Sequence, residues 1–371
     1  MSTVRSAVRI DLGALAHNVG VVAERVGGAQ VMTVVKADAY GHGLVPCART
    51  AVEAGADWLG VAFLEEALAL RAAGLAVPVL AWLFAPGEDL APAVAADVDL
   101  GVYSVAELER AAAAAVTSGR AARVHLKADT GLSRGGAVAD DWPDLCEAAA
   151  KAQADGTVQV VAVWSHFASS ELGPGHTTNQ AQSAAFGEAV EVARGKGLDP
   201  GLRHLANSGA LLTDPSTHLD LVRAGAVTYG LAAVPGRSPE DDGLRPVMSL
   251  VSTVALTKRV APGTGVSYGH RWTTDRATTL ALVPLGYGDG IPRHATNVAP
   301  VSVAGRRRLV SGVVAMDQLV VDCGDDDVSP GDPVVLFGSG GPTVQEWAAA
   351  AGTIDYEIVT RMGARVPREY V

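Results

Sequence analysis

Along the first 230 residues, short valine-rich runs alternate with longer stretches in which apolar residues recur every three or four positions. The first pattern predicts buried strands and the second predicts helices packed on one face. Residues 7–12 read as a strand, and Asp11 is placed to cap a helix through 15–26. Strands follow at 31–35, 57–63, near 77–83, near 99–103, 123–128 and 158–166, with shorter runs at 202–206 and 219–223. Between them lie helical patterns at 45–54, stopped by Gly55, at 64–73, stopped near Gly74, from Ser104 onward, at 144–154 and at 179–195. Ser104 and Glu107 have the spacing of a capping box. Eight candidate strand ends before about residue 230, most followed by a helix, predict an α/β fold of the (β/α)8 TIM-barrel kind. An open, doubly wound sheet gives the same local pattern.

The rhythm changes after Gly236. Residues 238–243 are polar and turn-prone, and short valine-rich runs at 248–256, 279–284, 298–303, 310–314 and 334–337 are separated by glycine and proline. These predict a mainly β-strand C-terminal domain with one short helix, boxed by Thr343 and Glu346 and ending near Gly352. The expected division is a barrel over 1–240 and a strand domain over 241–371, with residues 1–12 candidates to pair with the latter.

Composition narrows the functional classes. Lysine and arginine number 29 against 40 aspartates and glutamates, a net charge of −11, and the longest basic tract is 306–308. Such a chain is a poor nucleic-acid partner, because binding a phosphate backbone requires concentrated positive charge. The three cysteines, Cys47, Cys146 and Cys323, are too few and too scattered for a disulfide framework or a metal knuckle, so no metal is expected. Charges interrupt the amino-terminal segment where a secretory leader needs apolar residues, and no apolar stretch of about 20 residues occurs. The expectation is a cytoplasmic protein with no membrane partner.

Candidate chemistry collects where a barrel would put it. Lys36 ends the apolar run 31–35, a costly place for an amine without a partner. Lys127, His166, Asn207 with Ser208, and Arg223 also follow apolar runs. Each alone also reads as a solvated loop residue, and His166 as a packed strand-end histidine. Their repeated placement at carboxyl ends of strands is what a barrel active site requires.

The stretch Val35 to Gly43, VKADAYGHG, resembles the cofactor-lysine motif of bacterial alanine racemases. Further likenesses follow in the same order: VHLKADTGLSRG at 124–135, the His204 to Gly209 segment, and the segment from Arg223 to Gly230. VSYG at 266–269, PLGYGDG at 284–290, AMDQ at 315–318, GTIDYEI at 352–358 and the terminal Arg365 to Tyr370 complete the series. Together they span residues 8–370. Ala315, Asp38 and Gly288 stand where the family commonly has cysteine, asparagine and alanine.

The resemblance implies an alanine racemase interconverting L-alanine and D-alanine on pyridoxal 5'-phosphate, supplying D-alanine for peptidoglycan. It implies that Lys36 carries the cofactor and that Lys36 and Tyr268 are the two catalytic bases, with Tyr268 reaching the partner's site in a homodimer. Tyr40, Ser208, Gly225, Ala226 and Tyr356 would hold the phosphate. Arg223, linked to His166, would face the ring nitrogen, and Asn207 would belong to the same cofactor shell. Arg134 and Met316 would bind the substrate carboxylate. Lys127, carbamylated or else paired with a carboxylate such as Asp129, Tyr287 near the channel, and Asp317 would support them. A decarboxylase of the same architecture, a racemase accepting serine as well, and a non-catalytic cofactor carrier are the alternatives.

Overall fold

The computed structural model describes residues 5–371; residues 1–4 of the amino-terminal segment lie outside the described residues. Eight parallel strands form the barrel: β2 (Gln30–Val34), β3 (Trp58–Val61), β4 (Val79–Ala81), β5 (Val98–Val102), β6 (Ala122–Lys127), β7 (Val158–Trp164), β8 (Leu202–His204) and β9 (Leu221–Ala224). They pair in sequence order from β2 to β8, and β9 returns to pair with β2. Between β8 and β9, Asp220 N–H donates to Arg203 O (3.2 Å) and Arg223 N–H to Ala206 O (3.0 Å), which all but closes the ring. The open-sheet alternative is thereby excluded. Near-complete burial of these strands explains their uninterrupted apolar runs, since helices cover the outside and side chains fill the inside.

Alternate residues of each strand point inward. Met32, Trp58, Leu80 and Leu221 pack there as a separate apolar cluster. Trp82 lies above it, and two strand glycines make room for it. A Cβ on Gly60 would lie 2.9 Å from the Trp82 ring, and one on Gly101 would lie 2.9 Å from the Trp82 backbone. Inward-facing residues of β6, namely Arg123, His125 and Lys127, instead form a basic stripe along the barrel axis.

After β9 the chain builds strands. β1 (Ser6–Ile10) pairs antiparallel with β10 (Met248–Thr253) and parallel with β19 (Arg368–Tyr370) inside a six-stranded sheet. β15 (Pro300–Val303), β16 (Arg306–Leu309) and β18 (Pro333–Phe337) complete it. β11 (Leu256–Val260), β14 (Thr278–Val283) and β17 (Leu319–Gly324) form a second sheet, and β12 (Gly265–Val266) and β13 (Trp272–Thr273) a small ribbon.

Two expectations fail locally. The run 248–256 is two strands, turning at Val254 and Ala255 into a different sheet. The run 310–314 is a loop: only Val310 bridges to Val321, and Gly312 sits at φ +88° against Val266 and Ser267. The strand there is β17, nine residues farther on, because closure of the second sheet outweighs the local preference of three valines.

Candidate active site

The cavity at the carboxyl ends of the barrel strands has a volume of about 640 Å³. Lys36 enters it directly after β2, at the head of an unusual turn. Ala37, Asp38, Ala39 and Tyr40 all have φ between 53° and 56°, and Gly41 follows at 81°. Left-handed conformation in residues with a Cβ costs about 1–2 kcal/mol each, so the surroundings must hold this turn in place. They do so from both sides. Ala37 N–H donates to Glu66 (2.6 Å), and Leu44 N–H donates to the Asp38 carboxylate (2.7 Å). From the C-terminus, Arg368 donates to Gly41 O through Nε (3.1 Å) and Nη2 (3.0 Å). Burial lowers the Lys36 pKa, the Arg134 charge lowers it further, and Glu66 opposes both. Its amine is therefore more readily deprotonated than a solvated lysine.

Tyr40 closes the turn with its ring 4.8 Å from Tyr229 and 6.1 Å from Tyr356, and burial raises its hydroxyl to about 12, so it remains a donor. Beside it Ser208 Oγ accepts from Gly225 N–H (3.0 Å). A Cβ on Gly225 would sit 2.6 Å from the Tyr40 oxygen, so only glycine permits this approach. Asn207 caps the helix Ser208–Thr213 and accepts from Ser170 (2.6 Å), which makes it a support of the cup's wall.

Opposite the cup, the Nη groups of Arg223 donate to five acceptors. These are His204 Nδ1 (3.0 Å), His204 O (3.0 Å), Ser165 O (2.8 Å), His166 Nδ1 (3.1 Å) and Leu205 O (3.1 Å). The guanidinium lies 5.0 Å from the centre of the Trp164 ring. Burial lowers it to about 9, helped by Arg134, and it stays cationic at neutral pH. His166 is driven well below its ordinary range by burial and then by Arg223, Arg134, Lys127 and Lys36. It is a neutral acceptor for Arg223.

Lys127, 5% exposed, lies between the rings of Tyr103 (4.9 Å) and Trp164 (4.8 Å). Burial, Arg223 and Arg134 bring it down to about 8. The suggested pairing with Asp129 is not formed: that carboxylate is occupied by Gly131 N–H and Ser133 N–H. Four basic side chains, Lys36, Lys127, Arg134 and Arg223, thus line one cavity whose nearest acid on the wall is Glu171. A site so arranged attracts anions. The aromatic wall of Trp82, Tyr103 and Trp164 was not among the sequence candidates. Its only sequence signal was position, since Trp82 and Trp164 fall near strand ends.

Eleven of the candidates meet here: Lys36, Tyr40, Lys127, Arg134, His166, Asn207, Ser208, Arg223, Gly225, Ala226 and Tyr356. Four do not. Tyr268 (70% exposed), Met316 (52%), Tyr287 (42%) and Asp317 lie on the strand domain outside this cavity. The segments that carry them are hydrogen-bonded to one another: Tyr287 N–H donates to Ala315 O (3.0 Å) and Gly288 N–H to Met316 O (2.8 Å), while Arg365 donates to Asp317 (2.8 Å). Ser267, next to Tyr268, donates to Val313 O in the same loop (2.6 Å).

Pyridoxal 5'-phosphate, the group implied by the resemblance, suits this donor set. Its phosphate would match the donors of Tyr40, Ser208 and Gly225, and its carbonyl a lysine of lowered pKa.

Fold and site together define an α/β-barrel enzyme whose cavity gathers basic side chains around a lysine of lowered pKa. The alanine racemase N-terminal domain model matches residues 10–233 and the alanine racemase C-terminal domain model residues 247–370. An alanine racemase of Frankia casuarinae is 59% identical over 371 residues, covering 99% of this chain and 96% of that one. The crystal structure of alanine racemase from D-cycloserine-producing Streptomyces lavendulae is 50% identical, covers 100% of this chain and 98% of its own, and superposes with a TM-score of 0.98. That of Bacillus anthracis alanine racemase with bound L-Ala-P is 32% identical, covers 100% and 96%, and has a TM-score of 0.88. The chain belongs to the alanine racemase family.

Proposed function

We propose that the protein interconverts L-alanine and D-alanine with pyridoxal 5'-phosphate, as a homodimer whose two sites are each completed by the partner subunit. The observation that carries this reading is the cavity itself, where a lysine of lowered pKa, a five-fold anchored arginine and two further cations converge at one barrel mouth. When bound, the cofactor would supply the electron sink that acidifies the alanine Cα–H bond.

The chain's own residues account for the rest. Lys36 Nζ holds the cofactor and, when released, takes or returns the proton on one face of Cα. Tyr268 of the partner subunit serves the opposite face through its phenolic hydroxyl, since inversion requires removal on one side and delivery on the other. Arg134 binds the substrate carboxylate, and a backbone donor from Met316 of the partner subunit completes that grip. Tyr287 borders the channel by which substrate arrives, and Asp317 helps position the groups near it. Arg223, with its Nη donors already engaged, would face the ring nitrogen with its remaining donor. A guanidinium has no acceptor to offer and holds its proton, so that nitrogen would stay largely unprotonated. That would favour return of the proton to Cα over transfer elsewhere.

The expected role is supply of D-alanine for peptidoglycan, and the proposed compartment is the cytoplasm. Among the described residues no helix is long and apolar enough to cross a membrane. The proposed division between the two domains falls near residue 240, in the stretch between the end of β9 at Ala224 and the start of β10 at Met248.

Stereospecific assay of the cofactor-loaded enzyme in deuterium oxide, starting separately from L-alanine and D-alanine, tests the reading. Expected are both enantiomers from either start, each gaining deuterium at Cα. Carbon dioxide and an amine product, or an intact alanine α-proton after long incubation, would overturn it.

A further inference from the structure

Arg223 is one end of a buried chain that runs through the barrel interior. His204 Nδ1 lies 3.0 Å from Arg223 Nη1, and His204 Nε2 lies 2.9 Å from His125 Nδ1. His125 Nε2 lies 3.0 Å from Asp99 Oδ2. Asp99 is held in turn by Arg123, through Nε to Oδ1 (2.7 Å) and Nη2 to Oδ2 (3.1 Å). Asp99, His125 and His204 are fully buried, and Arg223 is 4% exposed. The rings are fixed by packing: Trp164 stacks on His204 at 5.3 Å, and Trp58 meets His125 edge-on at 5.4 Å.

Such a chain has only one consistent placement of protons. Arginine donates and never accepts, so His204 Nδ1 bears a lone pair and its proton is on Nε2. His125 Nδ1 must accept that proton's hydrogen bond, which puts the His125 proton on Nε2. Asp99, ionised, is the acceptor that ends the series. Burial opposes the Asp99 charge, yet the hydrogen bonds from His125 and Arg123 and the Arg123 charge outweigh it and hold the carboxyl below its usual range. His204 is pushed well below its ordinary range by burial and then by the Arg223 charge, so it is neutral as the series requires.

We propose that Asp99 and His125 are positioning residues that, through His204, orient the Arg223 guanidinium from the far end of the barrel interior. This rests on the reading of the cavity as a racemase site. Asp99, which only accepts, and Arg223, which only donates, fix the direction of every donor between them. In Asp99→Leu nothing accepts from His125 Nε2–H, a fully buried donor, so His125 and then His204 lose the orientation that holds Arg223. In Asp99→Asn the amide oxygen faces His125 Nε2 and Arg123 Nη2, so the series keeps its direction.

Histidine side-chain ¹⁵N spectra and steady-state kinetics of the Asp99→Leu and Asp99→Asn holoenzymes test this. Expected in Asp99→Leu are a shifted His125 Nε2 signal and a kcat lower by about tenfold to a hundredfold with KM for alanine nearly unchanged, and in Asp99→Asn a His125 proton still on Nε2 and a kcat near that of the unsubstituted enzyme. Full activity in Asp99→Leu, or equal loss in both variants, overturns the proposal. If Asp99→Leu does not fold, His125→Gln and His125→Leu decide. Glutamine donates to Asp99 and accepts from His204, so it should keep kcat near that of the unsubstituted enzyme, whereas leucine should lower it. Equal loss in both, or no loss in either, overturns the proposal. Absence of alanine turnover in the unsubstituted holoenzyme would instead refute the racemase reading, and the ¹⁵N measurement does not depend on that activity.

Discussion

Lys36 and Lys127 share one cavity, but their surroundings suit them to different chemistry. Lys36 keeps Glu66 close enough to temper its loss of basicity, whereas Lys127 is enclosed by aromatic rings and two arginines and comes down to about 8. Carbamylation of Lys127, proposed from the family resemblance, consumes the neutral amine and releases a proton as the N–C bond to carbon dioxide forms. The neutral fraction rises with pH through about 8. Incorporation of ¹³C-bicarbonate into carbonate-depleted enzyme, followed by NMR, should therefore be faster at pH 9 than at pH 7 by about tenfold at equal dissolved carbon dioxide. No label at Lys127 at either pH would refute the modification. At Tyr268, loss of a hydroxyl removes one of the two proposed bases. Tyr268→Phe should retain the cofactor spectrum while kcat falls by about a hundredfold or more. Normal turnover in both directions would remove Tyr268 from the mechanism. Lys36 was legible in the chain because an apolar run led straight to a lysine. Asp99 and His125 were not, because each sits within a run that reads as ordinary strand. Only the inward alternation of neighbouring strands brings them together.

Among elements, capping was readable from spacing alone. Ser104 accepts from Glu107 N–H (3.3 Å) and Glu107 accepts from Tyr103 N–H (2.6 Å), so that helix begins where its box lies. Thr343 and Glu346 repeat the device, with the helix ending at Gly352. The left-handed turn after Lys36 could not be foreseen, because in KADAY only Asp38 is of a type that visits that conformation, and then singly and not in a run of four. It exists because Glu66, the Asp38 carboxylate and Arg368 hold it from three directions. Gly41 is its tightest point: a Cβ there would lie 2.5 Å from Val359 O, at a φ of 81°. Gly41→Ala should lower unfolding stability by about 1–3 kcal/mol in denaturant titrations and weaken cofactor retention. Unchanged stability would mean that the helix Asp355–Thr360 yields without cost.

For the whole molecule, the four candidates outside the cavity bear on assembly. Tyr268, Tyr287, Met316 and Asp317 are linked through one loop region, away from the cavity of their own chain. If each belongs to the partner's site, mixing two inactive enzymes restores activity. Lys36→Ala and Tyr268→Phe homodimers, dissociated and reassociated together, should recover roughly a quarter of normal activity, because the hybrid has one intact site. No recovery despite a hybrid seen by native mass spectrometry would place Tyr268 and Lys36 of one site in the same chain. The sequence by itself determined the alternation that makes a barrel, the change to strands after it, the family, and the side chains that converge at the barrel mouth. These follow from local pattern and motif order, which survive in one dimension. Tertiary structure alone decided the left-handed lysine turn, the aromatic wall and the Asp99–His125–His204–Arg223 chain. The turn depends on Glu66 and Arg368, brought to it from a helix and from the C-terminal sheet. The wall and the chain depend on side chains from barrel strands far apart in sequence, and that proximity is created only when the barrel closes.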